Sequence, residues 1–152
     1  ITLKMKRTKW EIFALEISKK AIDIAKRNSS RHSVDINYIH ADIFSFDNYN
    51  QVDIIISNPP YVVESQKKNM KENVLNFEPK KSIFVSDENP LIFFKRIFDI
   101  SKLKLKAGGL LYFEINPKFK KALISLSKKY NFSSYELKKD IFRRNRYIKF
   151  QK

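Results

Sequence analysis

The chain has no cysteine, only two glycines and only two histidines among its 152 residues. The missing thiols exclude disulfides, thiolate metal centres and a cysteine nucleophile. His32 and His40 have no third partner near them in sequence, so packing or surface roles are expected for them rather than metal binding. Long apolar runs are lacking too. None approaches the roughly 20 residues that span a bilayer, and no signal-peptide pattern opens the chain, so the expectation is a cytoplasmic protein with no membrane association.

What is present is a globular composition with a strong basic excess. Hydrophobic residues make up 43% and aromatic residues 14%, enough for one domain with a real core. The formal charge is +15, which raises the question of a nucleic-acid or ribosomal partner. Most of the basic residues are lysines, scattered in pairs such as Lys19-Lys20, Lys67-Lys68, Lys120-Lys121 and Lys128-Lys129, a pattern of solvated helix faces. The one arginine cluster, Arg143-Arg144-Asn145-Arg146, is short, so a nucleic-acid surface is not favoured.

Hydrophobic periodicity divides the chain into alternating strands and helices. Ile1 to Met5 reads as the end of an amphipathic helix, and Trp10 to Leu15 as a strand ending at Glu16. Ser18 is a good N-cap for a helix with Ala21, Ile22, Ile24 and Ala25 on its apolar side. Val34 to Ile39 alternates as a short strand that ends near Asp42. Val52 to Ile56 reads as a fully buried, parallel strand. Two prolines stop it and restrict Asn58 to a narrow range of backbone angles at the strand's carboxyl end, where open α/β sheets bind ligands.

The stretch from Tyr61 to Asp87 is long and polar, as expected of a lid or substrate-binding insertion. Asp87 or Asn89 is expected to cap the next helix, with Pro90 in its first turn and Leu91, Phe93, Phe94, Ile97, Phe98 and Ile100 recurring at helical spacing to about Leu105. Gly108 and Gly109 then suit a helix-to-strand reversal that needs positive φ. Leu110 to Ile115 is a second buried strand, Pro117 to Tyr130 a helix, and Phe132 to Leu137 with Arg146 to Phe150 a closing antiparallel pair. This order predicts a doubly wound α/β sheet, mostly parallel with an antiparallel carboxyl-terminal edge.

Asn58-Pro59-Pro60-Tyr61 carries the chemistry. A planar amide or ring-amine nitrogen shares its lone pair with the adjoining π system and is a poor nucleophile. One side-chain oxygen from Asn58 and the carbonyl of Pro59 can accept hydrogen bonds from its two N–H groups and aim it at an electrophile, while Tyr61 offers an aromatic face or edge. Glu16 and Asp42, each near a strand end, are placed to accept from ribose hydroxyls and from an adenine amino group.

In these features the chain resembles the catalytic domain of the HemK-type peptide-chain release factor glutamine N5-methyltransferases, from about Trp10 to Phe150. The likeness rests on Asn58-Pro59-Pro60-Tyr61 together with the run Met70 to Pro79, Ser82-Ile83-Phe84-Val85, Ala107 to Ile115, and Lys139-Asp140-Ile141 with Arg146. It implies a Rossmann-like class I methyltransferase sheet, S-adenosylmethionine as donor, and the glutamine of the Gly-Gly-Gln loop of a release factor as acceptor. Position by position it implies Glu16 at the ribose and Asp42 at the adenine, with Asn58 adjoining both cofactor and substrate. Asn58, Pro59 and Tyr61 form the implied catalytic set, and Pro60 and Glu78 complete the substrate pocket. The competing readings are an amino-group methyltransferase acting on DNA or ribosomal RNA, and a non-catalytic remnant.

The sequence departs from that family in three ways. The first strand with its Asp-x-Gly-x-Gly loop has no counterpart; the helical amino-terminal domain has none either; and Asn116 and Arg143 replace two usual glycines. Losing an inner strand would leave apolar edges unpaired, at about 1 to 3 kcal/mol for each buried unpaired group against about 5 to 15 kcal/mol of net stability. The expectation is therefore a partial catalytic domain spanning residues 1–152, either a fragment of a longer protein or a decayed copy.

Overall fold

The computed structural model describes residues 10–48, 50–70 and 83–152; the expected helix end at Ile1 to Met5 and the pocket residue Glu78 lie outside them. The backbone forms two compact units, Ile1–Asn48 and Tyr49–Lys152.

The first unit contains β1 (Phe13–Glu16), α1 (Lys19–Arg31) and β2 (Asn37–His40). The two strands pair in parallel, from Phe13 opposite Asn37 to Glu16 opposite His40. Ser18 caps α1 as expected, its Oγ accepting from the Ala21 N–H at 3.3 Å. The apolar face differs in one residue. Ile22 is buried but Ile24 is 52% exposed, because residues two apart on a helix point to different sides.

The second unit contains β3 (Val52–Ser57), β4 (Val62–Val63), β5 (Phe84–Val85), α2 (Ile92–Lys104), β6 (Leu105–Glu114), α3 (Lys120–Lys129), β7 (Ser134–Lys139) and β8 (Asn145–Gln151). Its main sheet has the order β3-β6-β8-β7. β3 and β6 are parallel, whereas β6–β8 and β8–β7 are antiparallel. Short β4 and β5 form a further parallel pair. The expected alternation and antiparallel edge are both there.

The core of this unit lies between α2, α3 and one face of the sheet. Leu111, Phe113 and Ile115 alternate inward along β6 and beyond its end; Leu111 and Phe113 pair with Phe150 and Ile148 of β8, the Phe113 ring meets those of Phe94 and Phe98 of α2, and Leu123 of α3 is buried as well. The Phe98 ring lies 5.2 to 5.5 Å, centroid to centroid, from the rings of Phe113, Tyr130, Phe132 and Phe150. Edge-to-face and offset arrangements of this kind add to simple apolar burial.

Three local expectations are corrected. β3 is not fully buried: Ile54 and Ile55 are half-buried and Ile56 is 63% exposed, because among the described residues β3 pairs on one side only, with β6. Neither Asp87 nor Asn89 caps α2 with its side chain. The Asp87 carboxylate accepts from the Ser65 N–H and hydroxyl, Asn89 Oδ1 accepts from Lys95, and Leu91 takes the cap position after Pro90. The glycines, finally, lie within β6 rather than at the end of α2. Gly108 has φ +76° where the register steps from Val52 opposite Leu105 to Ile54 opposite Leu110, the geometry of a bulge. A Cβ at Gly109 would stand 2.9 Å from the Lys106 carbonyl oxygen and 3.1 Å from that of Asp53, so backbone crowding demands glycine there.

The two non-glycine departures now have structural outcomes. Asn116 has ordinary backbone angles, and its Oδ1 accepts from the Lys118 N–H at 3.1 Å to cap a short 3-10 turn, Pro117–Phe119, ahead of α3. Arg143, at the tip between β7 and β8, has φ +61°. Asp140 fixes that tip by accepting from the Phe142 and Arg144 N–H groups, each at 2.9 Å. An L-residue in the left-handed region costs about 1–2 kcal/mol, part of which glycine returns in unfolded-state entropy. Arg143→Gly is accordingly expected to stabilise the protein by about 0.5–1 kcal/mol, read as a rise in the denaturant midpoint at unchanged slope.

Candidate active site

The first group of expected residues sits at the carboxyl end of β1 and β2. Parallel pairing places Glu16 at the last step of the ladder, opposite His40, and Asp42 just beyond it. Glu16 Oε1 accepts from the Ser18 N–H at 2.7 Å, and Asp42 Oδ1 accepts from the Phe44 N–H at 2.9 Å. Each carboxylate is thereby oriented through one oxygen in these turns, and the second oxygen is able to accept from a ligand hydroxyl or amine. His40 Nε2 meets the Ile17 carbonyl oxygen at 2.9 Å, a packing role in keeping with its sequence reading.

The second group follows β3. Ser57, opposite Phe113, is the last residue of the strand, so Asn58 leaves the sheet at its carboxyl end. Asn58 is exposed, Pro59 is buried, and Pro60 and Tyr61 are half-buried. The peptide bonds here are trans. The buried Pro59 ring anchors the backbone on which the Asn58 amide and the Pro59 carbonyl are mounted. Val62 then pairs with Phe84, and its N–H donates to the Ile83 carbonyl at 3.1 Å, tying down the far side of the loop.

Tyr61 leads to two residues that sequence reasoning did not single out for the site. Its hydroxyl donates to Glu114 Oε1 at 3.4 Å, and Arg146 Nη2 contacts the same oxygen at 2.7 Å. Glu114 ends β6 and Arg146 is the second residue of β8, and the Ile115 N–H donates to the Arg146 carbonyl at 2.8 Å. The Tyr61 phenol is raised above its ordinary value of 10.0, first by burial; Arg146 opposes the rise, and the charge and hydrogen bond of Glu114 reinforce it. The available signal was a charged residue ending an apolar strand, as at Glu16. Glu16 and Asp42 are thus assembled within one unit, and Asn58, Pro59, Pro60 and Tyr61 with Glu114 and Arg146 within the other.

Comparison with known proteins gives a consistent family. The sequence model of the methyltransferase small domain matches residues 1–80. A release factor glutamine methyltransferase of Flavobacterium psychrophilum is 42% identical over 139 residues, covering 91% of this chain and 49% of that protein. One from Bacteroides thetaiotaomicron is 37% identical over 140 residues, covering 91% of this chain and 50% of its own length. The chain therefore spans about half the length of the curated relatives it matches. Among solved structures, a methyltransferase from Pyrococcus furiosus superposes with a TM-score of 0.65 at 15% identity, covering 93% of this chain and 62% of the other. That likeness is one of fold, and it bears out the expected Rossmann-like methyltransferase architecture. Among the described residues no helix is long and apolar enough to cross a membrane.

Proposed function

The chain belongs to the methyltransferase small domain family, and from that premise we propose that the protein methylates the glutamine side-chain amide in the Gly-Gly-Gln loop of a peptide chain release factor, with S-adenosylmethionine as donor. The observation that carries this reading is the exposed Asn58 amide, mounted between the end of β3 and the buried Pro59. It offers an oxygen acceptor at the rim of the sheet, with a second acceptor on the next residue. Two acceptors so placed match the two N–H groups of a primary amide. The identities of 42% and 37% to proteins named release factor glutamine methyltransferase support the choice of acceptor.

Glu16 and Asp42 fit the cofactor's nucleoside, which presents hydroxyl and amino donors to two oriented carboxylates. Bound there, S-adenosylmethionine supplies an electrophilic methyl group on a sulfonium. The chain's own contribution is positional. Asn58 Oδ1 and the Pro59 carbonyl hold the acceptor nitrogen, the trans prolines keep both oxygens from drifting, and Tyr61 packs against the planar amide. Fixing the approach in this way supplies rate through orientation rather than through a charged catalyst. Pro60, half-buried beside them, is assigned to the acceptor pocket, and Glu78, outside the described residues, is assigned to it on the family resemblance alone. The same reading assigns protein and substrate to the cytoplasm.

The test is methyl transfer by the full-length protein from labelled S-adenosylmethionine to purified release factor. The expected result is one methyl group on the glutamine of the Gly-Gly-Gln tripeptide, located by peptide mass spectrometry, and none on a factor in which that glutamine is alanine. Label entering ribosomal RNA or DNA with none in release factor would overturn the assignment.

A further inference from the structure

Glu114 and Arg146 lie 32 positions apart in sequence, yet Arg146 and the Tyr61 hydroxyl meet on the same Glu114 oxygen. Three separate elements supply the cluster: the loop after β3, the end of β6 and the start of β8. Phe113 points into the core, so the next residue, Glu114, points to the opposite face, which is where Tyr61 arrives. Glu114 is 21% exposed and Arg146 39%, so the ion pair is only partly shielded. A half-exposed ion pair contributes little to stability by itself. Its location, rather than its energy, is informative.

Resting on the methyl-transfer reading above, we propose that Glu114 and Arg146 are positioning residues that fix the Tyr61 ring, and through it the Asn58-Pro59 acceptors, for the incoming amide. The phenol donates to Glu114, the carboxylate is held by Arg146, and Arg146 is in turn held by the backbone bond from Ile115 to its carbonyl. Tyr61 is thus braced against the middle of the sheet at the tip of its side chain. The parallel contact of β3 with β6 braces the same loop from the other end. Without the brace, the ring rotates about its side-chain bonds and the loop loses its stop on that side.

The experiment uses the full-length protein and the variants Tyr61→Phe, Glu114→Gln, Arg146→Gln and Arg146→Lys. Ionisation of Tyr61 is followed by the phenolate absorbance that Tyr61→Phe removes. Its pKa is expected to fall in Glu114→Gln, where the neighbouring negative charge is lost, and to rise in Arg146→Gln, where the positive charge is lost. In methyl transfer, Tyr61→Phe and Glu114→Gln are each expected to lower kcat about tenfold or more through misorientation of the acceptor, with KM for S-adenosylmethionine little changed. The double variant Tyr61→Phe/Glu114→Gln is expected to be no slower than the slower single variant, since both remove one link of one chain. Arg146→Lys, keeping the charge, is expected to recover most of the activity that Arg146→Gln loses.

An unchanged Tyr61 titration in Glu114→Gln, full activity in that variant, or multiplied losses in the double variant would each overturn the proposal. Titration shifts in the expected directions in the variants, with a wild-type protein that does not methylate release factor, would leave the brace standing and sink the acceptor assignment instead. Tyr61→Phe keeps the ring and its packing, so it remains informative even if Glu114→Gln folds poorly.

Discussion

Replacing Asn58 with alanine is expected to lower kcat for glutamine methylation by about 100- to 1000-fold, the loss typical of removing one preorganised hydrogen-bonding group at a reacting centre. The structure explains why this loss should be one of rate and not of folding. Asn58 lies beyond the last residue of β3, its side chain is exposed, and no hydrogen bond to it is formed among the described residues. Truncation therefore leaves no buried partner unsatisfied. Thermal stability should stay near that of the wild type, and affinity for S-adenosylmethionine should fall far less than kcat. Asn58→Gln keeps the amide but advances it by one methylene. A displacement of about 1 Å at a positioned group can cost about 100-fold, so this variant should also be severely slowed. Measuring kcat and cofactor affinity together checks the assignment: wild-type turnover in either variant would remove Asn58 from the chemistry.

Much of this arrangement was legible in the sequence because it depends on local pattern. A strand before Asp42, the Ser18 cap, the helical spacing from Phe94 to Ile100 and the two closing strands follow from side-chain periodicity and short-range hydrogen bonding, although the alternation at Val34, Ile36 and Tyr38 starts the strand too early, since it spans only Asn37–His40. The position of Asn58 at a strand end follows from Pro59 and Pro60. What escaped depends on partners distant in the chain. Ile56 is apolar in sequence, yet its exposure is set by the one-sided pairing of β3. Asp87 has the makings of a helix cap but is claimed by Ser65, 22 residues earlier. Gly109 signals backbone flexibility in sequence, whereas the structure requires it for the close approach of Asp53 and Lys106. The Tyr61–Glu114–Arg146 cluster belongs to the same class. It exists because β8 runs antiparallel to β6 in a register that sets Tyr147 opposite Glu114, and no local pattern fixes that register.

Phe98→Ala is expected to give the largest loss of stability among single core truncations, about 3–5 kcal/mol, read from the denaturant midpoint. Phe98 is fully buried, and its ring joins side chains from four places: Phe113 on β6, Tyr130 after α3, Phe132 before β7 and Phe150 on β8. Truncation opens a cavity bounded on several sides by the sheet and so hard to collapse. Against a typical net stability of about 5–15 kcal/mol, such a loss leaves a marginal fold. Phe98→Leu separates the contributions. It retains much of the volume but none of the ring-to-ring geometry, and should cost about 1–2 kcal/mol. A loss below about 1 kcal/mol for Phe98→Ala, outside the expected cavity range, would show that the sheet can close over the gap and that Phe98 is not the hub of this core. The consequence for the site follows from β6 itself. Phe113 faces this cluster while Glu114, the next residue, faces Tyr61, so a strand loosened on its core side also loses its hold on the loop that carries Asn58.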